Sequence, residues 1–144
     1  MTSIAVPLDG DLAPVARIVL AGLAAGDAVH LTGPLGAGKT ALVQACCREL
    51  GIAEPVTSPT FALAHRYAGA IPIVHLDLYR LHDQPLRDPV DLLGAMDDTA
   101  IAFVEWPEVG DAWLPPPARR VVIGLDEAGT RRFEVGGDPA PPAL

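Results

Sequence analysis

The chain has one lysine, Lys39, and its ten Lys and Arg are outnumbered by eighteen Asp and Glu, a formal net charge of −8. Autonomous nucleic-acid binding rests on many Lys and Arg neutralising phosphates, so this acidic balance argues against that class. The arginines come as scattered singles and two pairs, Arg119-Arg120 and Arg131-Arg132, which read as a solvated hairpin face. Cysteines are equally few. Cys46 and Cys47 are adjacent and form neither a CxxC nor a metal-ligand pattern, so they read as small helix residues in a reducing compartment. No apolar run approaches the ~20 residues that a bilayer-crossing helix needs. The start, "MTSIAVPLDGD", has no positive region followed by an apolar one, as a secretory signal would. No membrane association is therefore expected, and the cytoplasm is the expected location. No internal repeat is visible, and the Asn-Lys-x-Asp motif that reads guanine is missing.

Half of the 144 residues are hydrophobic, enough for one ordinary core. The expectation is a single domain over residues 1–135 and a disordered tail over 136–144, "GGDPAPPAL" having the composition of such a segment. In "DLAPVARIVLAGLAAG", Leu12, Val15, Ala16, Val19, Leu20 and Leu23 recur at the spacing of one helix face, with Asp11 as N-cap, Pro14 in the first turn and Gly26 as the stop. "DAVHLTG" reads as a short strand, and "KTALVQACCRELG" as a helix with Leu42, Ala45, Cys46 and Leu50 inward and Gly51 as its stop. Phe61, Leu63, His65 and Tyr67 alternate, "AGA" offers a turn, and residues 71–78 form a second strand, a hairpin reaching Asp77. A short helix is expected over residues 88–96. "AIAFVEW" is a buried strand reaching Glu105, and "RRVVIGLDEAGTRRFEV" is a hairpin turning at residues 126–130. This order predicts an α/β fold: a P-loop NTPase-like three-layer sandwich whose mainly parallel central sheet carries added antiparallel hairpin strands.

"GPLGAGKT", residues 33–40, matches Gly-x4-Gly-Lys-Thr between a predicted strand and a predicted helix. In such a loop the glycines let successive N–H groups turn inward as an anion-binding nest, and the helix N-terminus adds its dipole. Gly36, Ala37, Gly38, Lys39, Thr40 and Ala41 are thus the expected nucleotide contacts. Lys39 would reach the β and γ phosphates, and the Thr40 hydroxyl would bind Mg²⁺. Hydrolysis also needs acids at neighbouring strand ends to hold Mg²⁺ and orient water. Asp77 and Glu105 occupy such positions, although a strand-end carboxylate also serves as a surface residue or helix cap. Thr57, Ser58 and Thr60 in "TSPTF" read equally as γ-phosphate switch residues or as caps of a turn at Pro59. His75 reads as a packed or hydrogen-bonded residue on the face of Asp77. Trp106, next after Glu105, is expected on the opposite face, in core or interface packing.

Four motifs in this order, "GPLGAGKT", "SPTF", "HLDLYR" and "EWPE", resemble those of the TsaE (YjeE) family, small bacterial ATPases that support synthesis of threonylcarbamoyladenosine (t6A) in tRNAs reading ANN codons. The resemblance spans residues 33–108 and, more loosely, the helix before and the hairpin after. It implies ATP and Mg²⁺ as cofactors, with Lys39 as the phosphate-binding lysine and Thr40 and Glu105 at the metal. Asp77 would act on the metal or on the attacking water, residues 58–60 as the switch loop, and Trp106 as the tryptophan beside the acid. It also implies partners, the transferase subunit TsaD and its paralogue TsaB, reset by ATP hydrolysis, with no direct high-affinity tRNA binding by this chain. The pattern departs at Pro34, where the family usually carries an acid, at Ala41, where a second Thr or Ser is common, and over residues 80–100, which are shorter and richer in proline. The segment near Asp11 is the expected place for adenine contact. A stand-alone small-molecule kinase and a non-hydrolysing nucleotide-dependent scaffold are the competing readings.

Overall fold

The computed structural model describes residues 1–53, 64–82, 96, 98–110 and 112–137. The strands are β1 (Thr2–Pro7), β2 (Ala28–Thr32), β3 (Ala64–Tyr67), β4 (Ile73–Asp77), β5 (Ile101–Glu105), β6 (Arg119–Leu125) and β7 (Thr130–Gly137). The helices are α1 (Ala13–Leu20) and α2 (Lys39–Glu49). All seven strands join one sheet in the order β1-β7-β6-β2-β5-β4-β3. The centre, β6-β2-β5-β4, is parallel, whereas β1 and β7 on one side and β3 on the other are antiparallel additions.

Burial distinguishes the two kinds of strand. β2, β4 and β5 are buried almost residue for residue, as their continuous apolar runs require of strands covered on both faces. β1 and β6 alternate buried with exposed, the mark of a sheet packed on one side. Both helices lie on one face of the sheet, where Val15, Val19, Leu42 and Val43 pack with Val29, Leu31, Phe103, Ile123 and Phe133. Full burial of each such side chain contributes roughly 1.5–3 kcal/mol. Val74, Leu76 and Val104 form the opposite core with Trp106, Trp113 and Leu114. Among the described residues this third layer holds only the 3₁₀ turns Tyr79–His82 and Pro107–Gly110 and adjacent loop. The helix expected over 88–96 lies outside the described residues except for Met96.

Five differences from the sequence reading follow. β1 went unread, although Ile4 and Val6 alternate inward with Thr2. α1 stops at Leu20, not near Gly26, because Gly22 already adopts φ 77°, which suits a helix end and disfavours residues with a Cβ. Leu12, not Asp11, holds the N-cap position, with Asp11 Oδ1 accepting the Ala13 N–H at 2.9 Å. The arginine pairs are not a solvated face, because successive strand residues point to opposite sides. Arg119 is fully buried and donates to the Ala21 carbonyl at the end of α1, and Arg131 is nearly as buried. β7 runs on to Gly137, two residues beyond the expected domain end, and residues 138–144 lie outside the described residues.

The remaining elements follow the expectation. α2 buries Leu42, Ala45 and Cys46 and ends before Gly51. The β6–β7 turn is closed by Asp126 Oδ1, which accepts the Ala128 and Thr130 N–H groups at 3.0 and 2.9 Å. Among the described residues no helix is long and apolar enough to cross a membrane.

Candidate functional site

The loop between β2 and α2 turns on Gly38, which takes φ 110° immediately before the helix. A Cβ there would be strained and would stand 3.0 Å from Arg131 Nη1. The next residue, Lys39, is the first of α2. Its side chain folds back over the loop, Nζ donating to the Gly33 carbonyl at 2.6 Å and the Pro34 carbonyl at 2.8 Å. The same ammonium lies 4.4 Å from the centroid of the Trp106 ring, within cation–π range. Burial pushes the Lys39 pKa down, and the negative charges of Glu105, Asp77 and Glu108 pull it partly back up.

Thr40, one residue on, donates its hydroxyl to Glu105 Oε2 at 3.0 Å. Glu105 ends β5 and is 3% exposed. Asp77 ends β4 directly beside it, half-buried, with Oδ1 accepting the Tyr79 N–H at 3.1 Å. Gly36, Gly38, Lys39, Thr40, Ala41, Asp77 and Glu105 line one cleft of about 280 Å³. Most of the expected site is thus brought together by the C-terminal ends of parallel strands, where open α/β sheets place their ligands.

Three expected contacts are not part of this cleft as described. The Ala37 methyl is packed in the core at 1% exposure, leaving only its backbone to the loop. The Asp11 carboxylate is engaged by the Ala13 N–H at the start of α1. Thr60 lies outside the described residues, together with Thr57, Ser58 and Pro59.

Trp106 packs with Val74, Leu76 and Val104 on the opposite face, as expected, and it also lines the cleft beside Glu105, which was not expected. Alternation holds only while a strand continues. β5 ends at Glu105, and Trp106 takes φ 58°, the one positive φ outside glycine among the described residues. Such a conformation costs of order 1–3 kcal/mol and persists only where the surroundings enforce it. Here Tyr79 packs against the indole at a tilt of 49° with ring centroids 5.0 Å apart, and Lys39 lies over it.

Sequence reasoning missed Tyr79, which follows Asp77 by two residues within the quoted "HLDLYR" and lines the cleft. It also missed Arg131, whose Nη2 donates to the Pro7 and Leu8 carbonyls at 3.3 and 3.1 Å while Nη1 stands against Gly38. The strand pattern with an inward arginine was the available signal. His75 is hydrogen-bonded as expected, but to the site itself: its Nε2 lies 2.5 Å from Glu105 Oε2. Among the described residues no cluster of three or more His, Cys, Asp or Glu is poised to hold a metal, and Thr40, Glu105 and Asp77, the expected ligands, line the cleft together.

Residues 9–133 match the family model described as threonylcarbamoyl adenosine biosynthesis protein TsaE. A TsaE protein of Nostoc is 39% identical over 117 residues, 78% of this chain and 72% of that protein. One from Bacillus subtilis is 33% identical over 110 residues, 76% and 68% of the two chains. A Mycobacterium bovis TsaE is 42% identical over 95 residues, a match spanning 60% of this chain and 56% of that protein. The crystal structure of Bacillus subtilis YdiB superposes with a TM-score of 0.69 at 25% identity, over 91% of this chain and 82% of the other.

Proposed function

The chain belongs to the TsaE family, the threonylcarbamoyl adenosine biosynthesis proteins, and on that premise we propose that it is a Mg²⁺-dependent ATPase that binds the TsaD–TsaB threonylcarbamoyl transferase and resets it between cycles of t6A formation. The observation that carries this reading is the convergence of Lys39, Thr40, Asp77 and Glu105, from α2, β4 and β5, on one cleft.

ATP and Mg²⁺ fit the groups present. Mg²⁺ keeps several waters and takes one or two protein oxygens beside substrate phosphates. A threonine hydroxyl and a carboxylate 3.0 Å apart supply such a pair. When bound, the ion neutralises charge on the β and γ phosphate oxygens. Lys39 exchanges its two loop carbonyls for phosphate oxygens. The negative phosphate offsets the burial that disfavours its charge, so the ammonium is held where it is needed. Asp77, beside Glu105, acts on the metal or on the attacking water. Thr60, with Ser58 and Pro59, is assigned to the γ-phosphate switch. Arg131 ties residues 7 and 8 to the phosphate loop, which supports adenine contact by the adjoining segment that reaches Asp11.

Among the described residues no arginine lines the cleft. An arginine finger is worth about 10³–10⁵ in rate, so turnover by the chain alone is slow and a partner completes the site. The net charge of −8 leaves tRNA to the partners.

The test is ATP turnover with and without Mg²⁺, by the protein alone and with its own TsaD–TsaB pair, for wild type and Lys39→Ala. Slow basal turnover, raised by the pair and lost in the variant, is the expected result. Turnover indifferent to the pair overturns the resetting role, and a search for a phosphate acceptor then follows.

A further inference from the structure

β4 and β5 are parallel and in register, with His75 opposite Phe103 and Asp77 opposite Glu105. The two-residue repeat places all four on the face that α2 covers, so His75 reaches Glu105 diagonally. Its ring is wholly buried. Nε2 lies 2.5 Å from Glu105 Oε2, the oxygen that also accepts the Thr40 hydroxyl at 3.0 Å. A carboxylate accepts, so the partner assigns the proton to Nε2. Nδ1 has no hydrogen-bond partner among the described residues. A strand position facing a core is ordinarily filled by an apolar side chain. A histidine with one nitrogen left unsatisfied is costly there unless the other nitrogen performs a task.

We propose that His75 is a positioning residue, which locks the Glu105 carboxylate against Thr40 and so builds the Mg²⁺ site before the nucleotide arrives. The inference rests on the ATPase reading above and deepens it. A glutamate has three side-chain torsions, and its free carboxylate samples many orientations. Two donors on one oxygen, from β4 and from α2, remove that freedom and leave Oε1 as the oxygen engaged by neither. The arrangement follows the general logic by which groups behind a metal ligand set its orientation and are worth about 10–100-fold in metal affinity.

The experiment measures binding of the fluorescent methylanthraniloyl derivative of ATP by the full chain, in EDTA and across Mg²⁺ concentrations. The proteins compared are wild type, His75→Leu and His75→Gln, whose amide nitrogen approximates Nε2. The expected result for His75→Leu is metal-free affinity close to wild type and a Mg²⁺ requirement raised about 10–100-fold. His75→Gln should recover most of that difference. An unchanged Mg²⁺ requirement in a folded His75→Leu overturns the inference. Parallel loss of metal-free and metal-dependent binding also overturns it, since that is what a merely structural histidine gives. A wild type that binds no nucleotide removes the ATPase reading and this inference with it. Because His75→Leu risks misfolding, long-range ¹H–¹⁵N spectra of wild type and Glu105→Gln provide a second measurement. They should show a slowly exchanging Nε2 proton that shifts in the variant, and an Nε2 without a proton overturns the inference.

Discussion

Asp77 and Glu105 stand opposite each other at the ends of β4 and β5, two carboxylates on neighbouring strands with the chain's only lysine as their near cation. Like charges held together cost stability, and a binding site accepts that cost for function. Asp77→Asn should therefore leave the ligand-free protein unchanged or stabilise it by roughly 1 kcal/mol or less, while removing the thermal stabilisation conferred by ATP with Mg²⁺. Urea unfolding without ligand and melting with it check the two halves. A strongly destabilised variant would show that Asp77 is structural.

The sole lysine makes Lys39 individually observable. In protein labelled with ¹⁵N-lysine, one side-chain Nζ resonance should appear, with a midpoint below the ordinary lysine value because burial disfavours the ammonium. Triphosphate should move that midpoint upward.

The same shift has a stability consequence of definite sign. The folded pKa lies below the unfolded one, so the cost of burying the ammonium is fully present below the folded value. It is relieved as pH rises through that value toward the unfolded one. The unfolding free energy of wild type minus that of Lys39→Met should therefore rise with alkaline pH. A flat or falling difference would contradict the burial of the charge.

Trp106 lies over the Lys39 ammonium, so it reports movement of that group. The chain has two tryptophans, and a Trp113→Phe background isolates the one in the cleft. ATP with Mg²⁺ should change the Trp106 emission, and Lys39→Ala should shift the starting spectrum and abolish the response. An emission unaffected by either would show that lysine and indole are not in contact in solution.

Arg119 and Arg120 are neighbours with opposite fates. Arg119→Ala removes a buried side chain that donates to the Ala21 and Ala118 carbonyls, and should cost about 2–4 kcal/mol. Arg120→Ala, on the exposed side of β6, should stay within about 0.5 kcal/mol. Denaturant midpoints at equal slope measure both, and equal effects would contradict the strand alternation.

Cys46 and Cys47 are buried in α2 and form no disulfide, and burial pushes the Cys46 thiol far above its ordinary range. A thiol-specific reagent should modify neither in the native protein within the time it modifies both in guanidinium. Rapid native labelling would place α2 differently.

The sequence by itself determined the elements whose physics is local. The spacing in "GPLGAGKT" placed a glycine-rich loop between a strand and a helix, since backbone freedom at glycine and a helix start are properties of consecutive residues. Continuous apolar runs identified β4 and β5 as buried strands with Asp77 and Glu105 at their ends, and the turn at residues 126–130 was legible from its own side chains. The order of motifs carried the family. Tertiary structure decided whatever depends on contacts between distant residues. β1 became a strand because β7 offered it an edge, and α1 ended at Leu20, just before Gly22, where Arg119 ties the Ala21 carbonyl. One arginine of each pair went inward because the sheet has a covered face. Trp106 borders the cleft as well as the opposite core because β5 stops one residue before it, and His75 met Glu105 because β4 and β5 are parallel and in register. Register, strand order and the face on which helices pack are set by the summed burial of the whole sheet, and no window of sequence contains them.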